Sequence, residues 1–342
     1  QSPVPIIPHL HGGEVQSTSD GHPEAWFTSN GLQGPAYNTN LTTWWDGSPI
    51  QKSEAVFKYP NPQPATTLWY HDHALGITRL NVMSGLAGFY ILRDTSDPNA
   101  GKLPSPQYEV PIVVQDRTFK TTDPLTGRND FWFPNVGLNP TLHPYWMPEF
   151  FGNTIMVNGK TWPYLNVNQR QYRLRLLDGS NARFYTLSFW IPDAGLLGIP
   201  NKLPFTVIGT DGGYLNTPVT LKELTIAPGE RYDIIVDFST IPTIGATPTK
   251  IVLRNTAKTP FPNGAPADPQ TVGQIMQFNV QSNTLVQPTP IPTTLNNIPT
   301  ITGPIAKTRI LTLIEVMGPA GPAEILLDGQ KWDTTGQWTD QR

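Results

Sequence analysis

Proline and glycine interrupt this chain too often for a long helix to run through it: 37 prolines and 29 glycines are spread over 342 residues. Proline removes a backbone donor and clashes with the preceding turn, and glycine costs a helix roughly 1 kcal/mol per residue. Between these breaks lie apolar, β-branched runs of five to eight residues: Gly88–Leu92, Val110–Gln115, Gln171–Leu176, Phe205–Gly209, Tyr232–Phe238, Lys250–Arg254, Gln274–Val280 and Arg309–Val316. Alternation is clean in Tyr172-Arg173-Leu174-Arg175-Leu176, where the arginines share one face and the leucines the other. Leu75–Met83 reads as a short helical turn. The expected fold is all-β, built as consecutive sandwiches or barrels.

At about 150 residues per domain, the length allows two domains and a remainder. Asp94–Pro106 is a weak break, and Gln281–Pro304, with prolines at 288, 290, 292, 299 and 304, reads as a stiff connection between domains. An internal repeat adds to this. Ile155-Met156-Val157-Asn158-Gly159-Lys160-Thr161-Trp162 aligns with Ile325-Leu326-Leu327-Asp328-Gly329-Gln330-Lys331-Trp332 at an offset of 170. Each copy reads as a strand, an Asn-Gly or Asp-Gly tight turn and a returning strand that carries tryptophan. A related β-domain is therefore expected to restart near residue 306 and to be cut short where its third strand should begin. The expected boundaries are 1–95 for the C-terminal part of a first domain, 96–280 for a second, 281–305 for a proline-rich linker and 306–342 for the start of a third.

Charged residues make up only 14% of the chain and the formal net charge is −3, with no run of like charge. Neither nucleic acid nor an anionic membrane is therefore an expected partner. No stretch approaches the roughly 18 apolar residues of a membrane-spanning helix. Cysteine is absent, which excludes disulfides, iron–sulfur ligation, a thiol nucleophile and any copper–thiolate bond made by this chain. Gly-x-Ser-x-Gly, Gly-x-Gly-x-x-Gly and P-loop signatures are also missing.

The six histidines are distributed unevenly. Four of them form two His-x-His pairs, Pro8-His9-Leu10-His11-Gly12-Gly13 and Trp69-Tyr70-His71-Asp72-His73-Ala74. In a strand, residues i and i+2 face the same way, so two such pairs on neighbouring strands would converge four imidazoles on one small volume. Neutral imidazoles suit Cu, Zn, Fe or Ni, and ligand rules alone do not choose among them. Glycines 12 and 13 permit close backbone approach beside the first pair. Asp72 alternates to the opposite face and is expected to fix the strand by hydrogen bonding. His22 and His143 each stand beside proline and read as surface or loop residues.

These pairs sit in a wider set of motifs: Ser19-Asp20-Gly21-His22-Pro23-Glu24-Ala25-Trp26-Phe27, Leu68 to Ala74, Thr78-Arg79-Leu80-Asn81-Val82, Gly85-Leu86-Ala87-Gly88-Phe89-Tyr90, Val157 to Tyr164, Asp211-Gly212-Gly213 and Ala227 to Asp233. Together they resemble the three-domain multicopper oxidases, in the branch of bacterial spore-coat laccases and bilirubin oxidases. The resemblance implies consecutive cupredoxin-like Greek-key β-barrels and a trinuclear copper cluster held by eight histidines. It implies that His9 holds the type 2 copper and that His11, His71 and His73 hold the type 3 pair. The other four histidines, and the cysteine of the type 1 copper, belong to the family's third domain and are expected beyond Arg342. A full-length parent would carry four coppers, with O2 and a small reducing substrate as partners. It would couple one-electron oxidations to four-electron reduction of O2 to water. Residues 1–342 alone are expected to be inactive, because they hold half the cluster ligands. An extracytoplasmic or spore-coat location follows from the resemblance only.

The resemblance places Asp20, nine residues after His11, near the solvent channel to the cluster and so makes it the candidate proton relay, with a turn aspartate before Gly21 as the alternative. The rival to an oxidase is a cupredoxin-fold scaffold or interaction protein that has lost its copper chemistry. A zinc hydrolase of the His-x-His-x-Asp-His type does not fit, since Asp72 lies between the histidines and no helices follow.

Overall fold

The computed structural model describes residues 3–104, 106–133, 149–243, 245, 247–281, 286–318 and 321–331. Strands dominate. Among the described residues the α-helices are Thr78–Met83 (α1) and Ala194–Leu197, six and four residues long, and none is long and apolar enough to cross a membrane. The all-β expectation holds, and α1 falls inside the segment expected to form a helical turn.

The chain divides into two compact units, Gln1–Phe119 with Phe151–Ile298 and Lys120–Phe150 with Pro299–Arg342. In the larger unit a three-stranded antiparallel sheet joins β1 (Pro8–His11), β2 (Thr66–Asp72) and β3 (Ala87–Leu92) in that order. A seven-stranded sheet runs 213–221, 205–210, 231–237, 171–178, β4 (Glu109–Arg117), 154–157 and 160–161. A six-stranded sheet contains 202–203, 185–190, 249–255, 274–281 and 164–168, with 224–226 also pairing to 185–190. β4 runs parallel to Gln171–Asp178, and Tyr164–Asn168 parallel to Gln274–Gln281; the other pairings are antiparallel.

The apolar face of each large sheet contributes to one core, in which Ile112, Ile155, Leu174, Leu187, Ile234, Ile251 and Phe278 are all at most 2% exposed. Removing such side chains from water is worth about 1.5–3 kcal/mol each. Leu174 and Leu176 face this core as alternation requires. The arginine face of the same strand is buried too. Arg173 Nε lies 2.9 Å from Asp233 Oδ1, Arg175 Nε lies 2.9 Å from Glu109 Oε1, and Arg175 Nη1 donates to Thr67 of β2 at 2.6 Å. Arg231 Nε donates to the Thr67 carbonyl at 2.9 Å. These charged side chains therefore fasten β2 to the seven-stranded sheet, which holds the strand that carries His71.

The proline-rich stretch has no helix or strand between residues 286 and 312. It is nevertheless attached: Leu295 is 2% exposed against Ile208 and Ile235, and its carbonyl accepts from Asn99 Nδ2 at 2.8 Å. In the smaller unit, Leu313–Gly318 pairs with Gly321–Leu327. That strand starts four residues later than the run Arg309–Val316 suggests. Thr312 instead bonds the turn residue Asp328, its N–H donating to Oδ1 at 2.7 Å and its carbonyl accepting the Asp328 N–H at 2.8 Å, so the ladder ends there. Both repeat copies form the expected turn, with Asn158 and Asp328 at φ of 49° and 53°. Trp332 of the second copy and His143 lie outside the described residues.

Candidate metal centre

The site begins with strand register. β1 and β2 pair antiparallel with His9 opposite His71 and His11 opposite Trp69, so the odd-numbered side chains of both strands share a face. His73 follows directly after β2, where its N–H donates to the Ile7 carbonyl at 2.8 Å. The two histidine pairs, about 60 residues apart in sequence, thereby become one cluster. Ring centroids lie 5.6 Å apart for His9–His11, 5.3 Å for His9–His71, 4.8 Å for His9–His73, 5.5 Å for His11–His71 and 5.7 Å for His71–His73. One ligand nitrogen from each of His9, His11 and His71 falls within 4.8 Å of the others.

Backbone carbonyls orient three of the rings. His71 Nδ1 donates to its neighbour Asp72's carbonyl at 2.7 Å, His73 Nδ1 to Gly21's at 2.9 Å and His9 Nδ1 to Asp20's at 2.5 Å. A carbonyl only accepts, so each of these Nδ1 atoms carries the proton and each Nε2 keeps its lone pair. His11 Nδ1 meets His71 Nε2 at 3.2 Å. Burial lowers His11 to about 4, helped by the Arg231 charge and the neighbouring rings. Burial likewise brings His71 down to about 4, against the opposing bond to Asp72's carbonyl, and lowers His73. His11 and His71 therefore stay neutral well below pH 6.5, and the neutral form of His73 is favoured too. Clustered imidazoles, three of them with the outer nitrogen held by a carbonyl, form a donor set that suits a transition-metal ion such as Cu, Zn, Fe or Ni.

The remaining sequence candidates fall in different places. Asp20 is at the edge of the cluster, its carboxylate 3.3 Å from His9 Nδ1 and its side chain 52% exposed. Asp72 is buried on the opposite face, as alternation predicts, and accepts three hydrogen bonds. His22 is half-buried in a loop. Gly12 sits at φ +85°, and a Cβ there would lie 2.6 Å from Arg231 Nη2, so close approach is required at that position.

Two neighbours of the cluster had no role in the sequence reading. Trp69 packs against both His71 and His11, with ring centroids 4.3 and 5.1 Å away. Its position two residues before His71 puts it on the same strand face, and that parity was a readable signal. Arg231 comes from the seven-stranded sheet, and no local pattern connects it to β1.

Several known proteins are similar to this chain. The family model described as multicopper oxidase matches residues 139–245. "Multicopper oxidase LPR1 homolog 3" of Oryza sativa subsp. japonica is 38% identical over 312 residues, covering 90% of this chain and 52% of that protein. A laccase of Bacillus subtilis (strain 168) is 37% identical over 336 residues, covering 96% of this chain and 57% of that protein. Among solved structures, the McoA multicopper oxidase of the hyperthermophile Aquifex aeolicus superposes with a TM-score of 0.70 at 26% identity, over 96% of this chain and 60% of that one. The chain spans about half the length of the curated relatives it matches. With two His-x-His pairs converging on a cupredoxin-like β framework, and with relatives of one kind in both sequence and structure, this chain belongs to the multicopper oxidase family.

Proposed function

We propose that this chain supplies half of the copper cluster of a laccase-like oxidase, with His9 at the type 2 copper and His11, His71 and His73 at the type 3 pair. The observation that carries this reading is the convergence of the four imidazoles, with His9, His11 and His71 offering ligand atoms within 4.8 Å of one another. Bound copper would supply the one-electron redox chemistry that links a small reducing substrate to O2 and water. Burial favours the neutral forms of His11, His71 and His73. The carbonyls of Asp20, Gly21 and Asp72 fix the tautomers of His9, His73 and His71, and the Trp69 indole covers His11 and His71. The remaining ligands and the type 1 site come from protein outside these residues. In this reading residues 1–95 and 96–280 belong to successive cupredoxin-like domains, and 306–342 to a third.

Copper analysis and oxygen uptake test this reading. The purified chain should retain copper after dialysis and fail to turn over a phenolic donor. Absence of bound copper would favour a scaffold, and dye turnover would overturn the assignment of the missing ligands.

Asp20 is the proton-handling residue in this scheme. Its exposed carboxylate can exchange protons with solvent and reaches His9 Nδ1 at 3.3 Å. In an enzyme carrying the full ligand set, Asp20→Asn should leave the copper content unchanged and slow oxygen consumption roughly 100-fold, the lower range for a lost general acid–base group. Rates within twofold of the unaltered enzyme would return Asp20 to the role of a turn residue.

A further inference from the structure

On the opposite face of the β1–β2 pair lies a buried polar cluster that the ligand reading does not use. The Asp72 carboxylate is approached from three segments: Ile7 N–H reaches Oδ1 at 2.9 Å, Ala74 N–H reaches Oδ2 at 3.2 Å and Asn81 Nδ2 reaches Oδ2 at 2.9 Å. Asn81, on α1 and 5% exposed, also donates from Nδ2 to the Pro5 carbonyl at 3.0 Å. Its own backbone is secured, with its N–H donating to Ile77 at 3.0 Å and its carbonyl accepting from Leu86 at 3.1 Å. One amide therefore touches the segment entering β1 and the aspartate between His71 and His73. Ile7 closes the circuit through its carbonyl bond to the His73 N–H.

We propose that Asn81 is a positioning residue for the metal centre, setting the register of the His9/His11 strand against the His71/His73 segment. The inference rests on the ligand assignment above. β1 has four residues, and its first, Pro8, has no N–H to give the ladder. A slip of one residue would turn His9 and His11 to the other face of the sheet. So short a ladder needs anchors beyond its own hydrogen bonds. At the far end Gln63 Nε2 holds the Gly12 carbonyl at 2.8 Å, and at the near end the Asn81–Asp72 pair holds Pro5 and Ile7. Leucine at 81 would keep the volume, but would leave the Pro5 carbonyl and one Asp72 oxygen without their amide donor.

The test measures Cu(I) affinity of the full chain by competition with a chromophoric chelator, together with the Cu(II) EPR spectrum. Asn81→Leu and Asn81→Ser are compared with Ile251→Val, a core change remote from the cluster. For folded Asn81 variants the affinity should fall about 10–100-fold, the usual cost of losing a partner behind a metal ligand, with altered copper hyperfine splitting. Ile251→Val should change neither. Unaltered affinity and spectrum in a folded Asn81 variant would overturn the proposal. So would failure of both Asn81 variants to fold, since Asn81 would then serve the fold and not the ring geometry. Failure of the unaltered chain to bind Cu(I) would refute the ligand assignment itself, and this proposal with it.

Discussion

His71→Ala should abolish stoichiometric copper binding by this chain, with a larger loss of affinity than any other single histidine substitution. His71 is the most enclosed of the cluster at 8% exposure, and its ring contacts His9, His11, His73 and Trp69. Its Nδ1 proton is committed to the Asp72 carbonyl, which leaves Nε2 beside His11 Nδ1 as the donor atom. Losing a ligand itself should exceed the roughly 10–100-fold cost of losing an outer partner. His73→Ala should cost less, because His73 is not among the three residues whose ligand atoms fall within 4.8 Å of one another. His22→Ala should leave affinity within twofold. Chelator competition for Cu(I) on variants verified as folded ranks the three, and equal losses for His71 and His22 would remove the basis for the site.

The second large effect concerns stability. Asp233→Ala should destabilise the chain by about 3–5 kcal/mol, the usual cost of removing one partner from a buried ion pair. Asp233 receives Arg173 Nε through both carboxylate oxygens, at 2.9 and 3.0 Å, and also lies beside Arg175. Without it, two arginines that are 8% and 4% exposed share Glu109 alone. A fall of about 10 °C in melting temperature is expected. Glu109 adds a pH dependence. Burial opposes its ionisation, but hydrogen bonds from Arg93 and Arg175 and the charges of Arg175 and Arg173 outweigh burial and hold its carboxyl at about 2. The folded state then binds fewer protons than the unfolded one between about pH 4.5 and 2, so stability declines as pH falls through that window. Thermal melts across the window should show the decline, and Glu109→Gln should remove that component. A flat profile in the unaltered chain would contradict the ion-pair assignment.

Much of this protein follows from short-range rules. Proline and glycine spacing excluded long helices, and runs such as Lys250–Arg254 and Gln274–Val280 became strands with bounds shifted by one residue at most at either end. Period-two alternation placed the two members of each histidine pair on one face and Asp72 on the other. The Asn158-Gly159 and Asp328-Gly329 turns were legible because their backbone requires φ above zero, which few residue pairs supply. The absence of cysteine excluded a thiolate copper site in this chain.

Only the tertiary structure decided which strands meet. Local alternation says that His9 and His11 are neighbours, but not that His9 faces His71 across a ladder joining residues 62 positions apart. Nor could it show that the Arg173/Arg175 face would be covered, because a charged strand face reads as solvated until Glu109, Asp233 and Thr67 close over it. Arg231 and Asn81 acquire their places in the same way. Side-chain direction is a property of a few consecutive residues, whereas pairing partners are selected by the burial and hydrogen bonding of the whole unit.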